Sequence, residues 1–232
     1  MPKNIIVISV GGSLIAPEQV DVAFLKSFRC LILGHIRAGK RFIIICGGGR
    51  TSRIYQNAAR KLGVTKDDAD WLGICATKIN AQLLAALFRK WAHPKITDNP
   101  SEHIAFREKI LVASGWKPGF SSDYDAVLLA RNFGAKKLVN LTNIDYVCDK
   151  DPNKFRDAEP IKEMTWKRLL EVIPRKWSPG MHAPFDPVAA KAAQQLRLEV
   201  AVINGRNLKS LGNYLQDRSF KGTIIRDRKP KF

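Results

Sequence analysis

The sequence predicts an α/β fold built on a mainly parallel sheet covered on both faces, and three observations lead there. Short β-branched apolar runs alternate with longer segments of helical periodicity. The runs at residues 5–10, 42–46 and 198–203 are apolar nearly throughout, as strands buried on both faces are. Glycine-rich or polar turns follow those runs, where a strand hands over to a helix.

Taken in order, residues 5–10 form a first strand that ends in Gly11, Gly12 and Ser13. A helix over 20–39 carries Phe24, Phe28, Leu31, Ile32 and His35 at helical spacing. Residues 42–46 form a second strand, closed by Gly47, Gly48 and Gly49. A helix over 51–62 stops at Gly63, and the next, over 68–91, has an apolar stripe of Leu83, Leu84 and Leu87. A strand at 110–113 leads into a Gly/Ser loop, 114–122, and a helix over 123–133 with Asp123 as its candidate N-cap. The strand at 137–141 ends in Thr142, Asn143, Ile144 and Asp145, and Asp151, Pro152 and Asn153 mark a turn. Helices follow over 166–173 and 186–196, the second with Pro187 at a tolerated early position. A buried strand at 198–203, a helix over 207–216 and a final edge strand at 223–225 precede a basic tail. A soft boundary falls near 145–160, where charge and proline rise, and the chain reads as a single domain of two approximate lobes, 1–135 and 136–232, that share one sheet.

Composition sets the outer limits. The 232 residues are 45% hydrophobic and 26% charged, which excludes a disordered or collagen-like chain. No apolar run approaches the about 20 residues of a membrane span. The opening apolar run has no cleavage pattern behind it and reads as a strand, not a signal peptide. Cys30, Cys46, Cys75 and Cys148 form no CxxC pair and read as reduced thiols of a cytoplasmic protein. The four histidines lack metal-ligand spacing. What stands out is charge: 39 Lys+Arg against 21 Asp+Glu give +18, which admits nucleic acid, anionic membrane or phosphorylated small molecules as partners.

The glycine loops separate these partners. In an open α/β sheet, ligands bind beyond the carboxyl ends of the strands, where this chain places its glycines. Glycine lets backbone N–H groups approach an anion, and helix N-termini add partial positive charge. Neither GxGxxG nor GxxxxGK[ST] is present, so phosphates are expected in several backbone nests instead of one P-loop. No zinc finger, RNP motif or helix-turn-helix accompanies the charge, so nucleic-acid contact rests on charge alone and is not predicted.

Five segments, VGGSL from Val10, CGGGRTSRIY from Cys46, PGFSSDYDAVLLA from Pro118, NLTNIDYVCDKDP from Asn140 and PFDPVAAKAA from Pro184, resemble the amino acid kinase superfamily. Within it the resemblance is closest to UMP kinases of archaeal type, and it runs from about residue 5 to residue 225. It implies a three-layer α/β/α sandwich, phosphoryl transfer from ATP with Mg2+ to UMP, and a homohexamer. It puts the phosphoacceptor by the N-terminal loops and ATP over the C-terminal lobe.

Carried over residue by residue, the resemblance implies that Gly11, Gly12, Ser13 and Asp123 stand at the reaction centre. Gly47, Gly48, Gly49 and Arg53 would grip the UMP phosphate, for which arginine's planar fork is suited. Asp70 and Gly73 match a D-x-x-G whose carboxylate takes the ribose hydroxyls; Gly115, Ser121 and Ser122 belong to the loop over uracil and phosphate, the serines replacing threonines. Thr142, Asn143 and Asp145 would face the ATP phosphates, with Asp151, Pro152 and Asn153 under adenine and ribose. Residues 175–186 resemble a nucleotide-side loop, with Gly180 and Met181 at a family turn and Lys176 and His182 nearby without a role.

Two positions depart from the pattern. Most superfamily members carry lysine where this chain has Ser9, which leaves Lys3, Arg50 or Lys191 to supply the missing cation. Tyr146 stands where glycine is preferred, against the ATP pocket. Two alternatives therefore stand beside UMP kinase. One is another superfamily kinase, acting on acetylglutamate, isopentenyl phosphate or carbamate; the other is a nucleotide-binding regulatory protein without turnover.

Overall fold

The structure, a computed structural model, describes residues 5–152, 154–175 and 183–227. The chain runs β1 (Ile5–Val10), α1 (Gly12–Ile15), α2 (Val22–Arg37), β2 (Arg41–Cys46), α3 (Gly49–Lys61), α4 (Lys66–Leu87), β3 (Ile110–Ala113) and α5 (Ser122–Phe133). It continues with β4 (Lys137–Thr142), β5 (Val147–Cys148), β6 (Pro160–Ile161), β7 (Glu163–Met164), α6 (Trp166–Val172), α7 (Pro187–Gln195), β8 (Glu199–Asn204), α8 (Leu208–Leu215) and β9 (Thr223–Ile225).

Seven strands form one sheet in the order β3-β2-β1-β4-β8-β9-β7, and β5 pairs with β6 in a small second sheet. Every pairing in the large sheet is parallel except β8 with β9. The central strands β1, β2, β4 and β8 are buried nearly end to end, because helices cover both faces. Alternate residues of each strand feed two cores. Val7, Ile43, Leu138 and Val200 pack under α5, α6 and α7, and Ile8, Ile44, Val139 and Ala201 pack under α2, α4 and α8. The result is the expected α/β/α sandwich.

Local chemistry sets the helix starts. Asp21, Thr65, Thr165 and Asn207 cap α2, α4, α6 and α8 through their side-chain oxygens. The cap of α5 is Ser121, whose Oγ accepts from the Tyr124 N–H; Asp123, expected there, lies inside the first turn. A one-turn α1 follows β1 directly, and α3 begins at Gly49, inside the glycine loop. Helix α4 ends at Leu87, short of residue 91, because Trp91 and His93 turn to hydrogen-bond β3. Strand β9 is not an edge: β7, unforeseen in the sequence, pairs along its outer side. Among the described residues no helix is long and apolar enough to cross a membrane.

Candidate active site

The carboxyl ends of β1, β2, β3 and β4 open onto one cleft of about 320 Å³. Its floor is a junction of two glycine loops. A Cβ on Gly12 would lie 2.3 Å from the Gly49 nitrogen, and one on Gly49 would lie 2.3 Å from the Gly12 carbonyl carbon. Gly49 also has φ +62°, so only glycine fits there without strain. The loops are pinned to their neighbours. Gly47 N–H donates to the Val10 carbonyl and Gly11 N–H to that of Leu141, both at 2.9 Å, while Asn80 Nδ2 donates to the Gly47 carbonyl at 2.8 Å. Backbone N–H groups at the starts of α1 and α3 therefore face one space, as anion binding requires.

One wall is α4, where Asp70, Gly73 and Thr77 recur at helical spacing on one face. Thr77 Oγ1 accepts from the Gly115 N–H at 2.8 Å and donates to the Ile74 carbonyl at 2.7 Å, tying α4 to the loop after β3. Burial pushes the Asp70 carboxyl upward, and the Gly119 backbone N–H draws it partly back. That loop, 114–121, closes the outer side.

The opposite wall carries aspartates. The Ser121 hydroxyl donates to Asp186 Oδ2, and Asp186 Oδ1 caps α7 by accepting from Val188 and Ala189. Burial and then the neighbouring Asp186 charge push the Asp123 carboxyl up to about 7. Asp125, one turn into α5, is fully buried; its Oδ2 accepts from the Trp116 N–H at 3.1 Å and its Oδ1 has no partner. Burial drives its carboxyl to about 7 as well.

The cleft brings together Gly11, Gly12, Ser13, Gly47, Gly48, Gly49, Arg53, Asp70, Gly73, Gly115, Ser121, Ser122, Asp123 and Thr142. It does not include Asn143, Asp145, Asp151 or Pro152, and Asn153 lies outside the described residues. Asp145 instead accepts from Lys221 Nζ at 2.5 Å and Asn204 Nδ2 at 2.8 Å, which holds its carboxyl below the usual range. Tyr146 is half-buried, off the cleft wall.

Neither of the described cations proposed to replace a lysine at Ser9 reaches the cleft. Arg50 pairs with Glu18 at 2.6 Å, and Lys191 lies on α7 away from the lining. Lys3, Lys176, Gly180, Met181 and His182 lie outside the described residues. The cations that do line it, among the described residues, are Arg53 and Lys117.

Sequence reasoning missed Lys117, Thr77 and Asp186 as lining residues. Thr77 was within reach, seven residues beyond Asp70 on the same helical face. Asp186 before Pro187 carried a capping signal, but its meeting with Ser121 is a tertiary event.

Residues 4–204 match the family described as the amino acid kinase family. The chain is 34% identical over 209 residues to a uridylate kinase of Methanobrevibacter smithii, covering 89% of this chain and 92% of that one. It is 31% identical over 229 residues to a uridylate kinase of Methanoregula boonei, covering 97% of each. Its fold superposes on the crystal structure of uridylate kinase from Archaeoglobus fulgidus with a TM-score of 0.80 at 27% identity, over 95% of this chain and 99% of that one.

Proposed function

The chain belongs to the amino acid kinase family, and we propose that it is a phosphotransferase that moves the γ-phosphoryl group of ATP to UMP, giving UDP and ADP. The observation that carries this reading is the interlocked pair of glycine loops with Arg53 one turn behind them. Its relatives of known name are uridylate kinases along nearly their whole length, which supports the acceptor.

In this reading the acceptor phosphate lies against Gly47, Gly48, Gly49 and Arg53, and the ribose against Asp70. An oxygen of the UMP phosphate attacks the γ-phosphorus as the bond to the β–γ bridging oxygen breaks, and ADP leaves with that oxygen. Little covalent work falls to the protein; it positions two anions and offsets the charge that develops between them. The N–H groups of Gly12 and Ser13 serve that centre from the end of β1, where the Gly11 N–H is held by the Leu141 carbonyl. Residues 1–135 then form the acceptor lobe and 136–232 the donor lobe, from which Thr142 and Asp186 reach the cleft.

The residues fit a magnesium ion. Asp123 and Asp186 face the cleft, and among the described residues no lysine, arginine or histidine bonds to either. They would hold the ion beside phosphate oxygens and water, and when bound it neutralises charge on the transferred group.

Self-association belongs to the same reading, with the outer face of α3 and α4 as the surface where copies meet in a homohexamer. The free cysteines support a reducing compartment, the cytoplasm.

The test is steady-state ADP release with UMP, CMP, acetylglutamate and isopentenyl phosphate as acceptors. UMP is expected to lead; no ADP above background with any nucleotide acceptor rejects the assignment.

A further inference from the structure

Helices α2, α4, α5 and α7 each return the chain from the cleft to the start of a parallel strand, so strand starts and helix ends share the opposite end of the sheet. Cations gather there. Lys40, Lys109 and Lys136 immediately precede β2, β3 and β4, and Arg197 stands two residues before β8. Arg37 closes α2, and Arg218 follows α8. The sheet holds them side by side: the Phe42 N–H donates to the Lys109 carbonyl at 2.9 Å, and the Glu199 N–H to that of Lys136 at 3.1 Å. Lys137 Nζ meets Asp217 at 2.5 Å, which brings the end of α8 against the start of β4.

These six cations are not used within the fold. None forms a salt bridge among the described residues, and all are exposed except Lys40, which is half-buried. Asp217 is engaged by Lys137, Glu199 and Glu163 by Arg226, and Glu108 lies against His93. A helix dipole accounts for Arg37 in the last turn of α2, but its effect falls off within that turn. Lys40, Lys109, Lys136 and Arg197 lie outside the helices' last turns. Arg197 also has φ +51°, a left-handed conformation that glycine adopts freely and a side chain does not.

A row of this kind fits a polyanion. It spans β3-β2-β1-β4-β8, four steps of ~4.8 Å or roughly 19 Å, over which one strand of a duplex carries about five or six phosphates. Lysine and arginine carry donors only, which suits phosphate oxygens, and phosphate contacts position a duplex without reading its sequence. Nothing here would enter a bilayer or stack on an unpaired base. No exposed large hydrophobic residue, aromatic rings included, lies within 37–41, 107–110, 135–138, 196–200 or 216–220.

We propose that this end of the molecule, centred on Lys136 and Arg197, docks the phosphate backbone of a nucleic-acid duplex, irrespective of sequence. Strands of six residues at ~3.3 Å each set it roughly 20 Å from the cleft, so a duplex and the cleft's own ligands bind together. Sequence motifs give no such contact; the gathering of cations at one end does. Arg53 and Lys117 in the cleft account for little of the +18, and this end takes up part of the remainder.

The experiment titrates the full chain into a short labelled DNA duplex by fluorescence anisotropy over a range of salt. It compares the variant Lys40→Gln/Lys136→Gln/Arg197→Gln with Lys26→Gln/Lys61→Gln/Lys66→Gln, which removes equal charge from exposed positions of α2, α3 and α4. The first variant should flatten the slope of log K against log salt by about 3 and weaken binding about tenfold or more. The second should lose less than about threefold, and an RNA duplex should bind as the DNA does. A footprint on the native chain needs no variant: the duplex should protect Lys40, Lys109 and Lys136 from acetylation and leave Lys61 and Lys66 reactive. Equal losses in the two variants, protection of Lys61 and Lys66 instead, or displacement of the duplex by ATP with UMP overturns the proposal. Binding to phosphatidylserine vesicles without binding to the duplex overturns it as well.

Discussion

The backbone N–H of Asp186 donates to Asp123 Oδ2 over 3.2 Å, joining residues 63 apart in sequence. With the Ser121–Asp186 bond, it ties the start of α5 to the start of α7. It also sets two carboxylates together at the cleft with no cation of the described chain against them, and burial with that proximity lifts Asp123 to about 7.

If magnesium is held beside Asp123 as proposed above, the raised carboxyl predicts a specific pH response. Activity should rise as Asp123 ionises through pH about 7. A divalent cation favours the ionised form, so the rising limb should move to lower pH as magnesium is increased. Asp123→Asn should flatten that limb. Rate profiles at several magnesium concentrations check this, and a limb that stays in place would count against Asp123 as a metal-side group.

Asp125 predicts a change of sign in stability. Its carboxyl titrates higher in the fold than in an unfolded chain, so its contribution is full below pH about 4 and is lost as pH rises towards about 7. Asp125→Asn keeps an oxygen for the Trp116 N–H and removes the ionisation cost, at most about 4 kcal/mol. It also puts an amide N–H2 where Oδ1 had no partner, which costs about 1–3 kcal/mol. The variant should unfold more easily than the native chain at pH 4 and less easily at pH 8. Denaturant midpoints at the two pH values check it.

The glycines predict a contrast between sites. Gly12→Ala drives a Cβ into the backbone of the facing loop, where no flexible side chain can yield, and should cost more than about 3 kcal/mol and abolish activity. Gly63→Ala meets open space; its φ of +73° carries a strain of about 1 kcal/mol, and activity should persist. Thermal unfolding with ADP release on both variants separates close approach from backbone conformation.

The same contrast explains what could be read from the sequence. The sandwich was legible because continuous apolar strands and glycine turns are local signals, and the acceptor-side residues cluster in three such turns. The surroundings of Asp145 were not: it matched a motif, and the groups that hold its carboxylate, Lys221 and Asn204, are remote in sequence. Ser121 displaced Asp123 as the cap because the helix begins two residues earlier. Much of the +18 charge also lies off the cleft, whose lysine and arginine lining among the described residues is only Arg53 and Lys117.

Helix α3 presents the last prediction. It opens in the second glycine loop and carries Arg53 yet buries only Gln56 and Ala59, and a helix of this length draws most of its stability from packing. Seven of the eleven exposed large hydrophobic residues among those described lie on α3, α4 or the turn between them. Ile54, Ala58 and Leu62 follow one stripe, and Trp71, Cys75 and Ile79 repeat the spacing on α4. Such a patch on a lone chain would be costly in water, and Arg60 and Lys61 close α3 where Asp67 and Asp68 open α4, so the patch offers a second copy both signs of charge. Ile54→Glu with Ile79→Glu should reduce the mass seen by sedimentation to a smaller assembly. Because α3 loses its cover, the same variant should lower kcat/KM for UMP more than for ATP. An unchanged mass would place the subunit contact elsewhere and leave α3 to be held by α4 and the loop that opens α1.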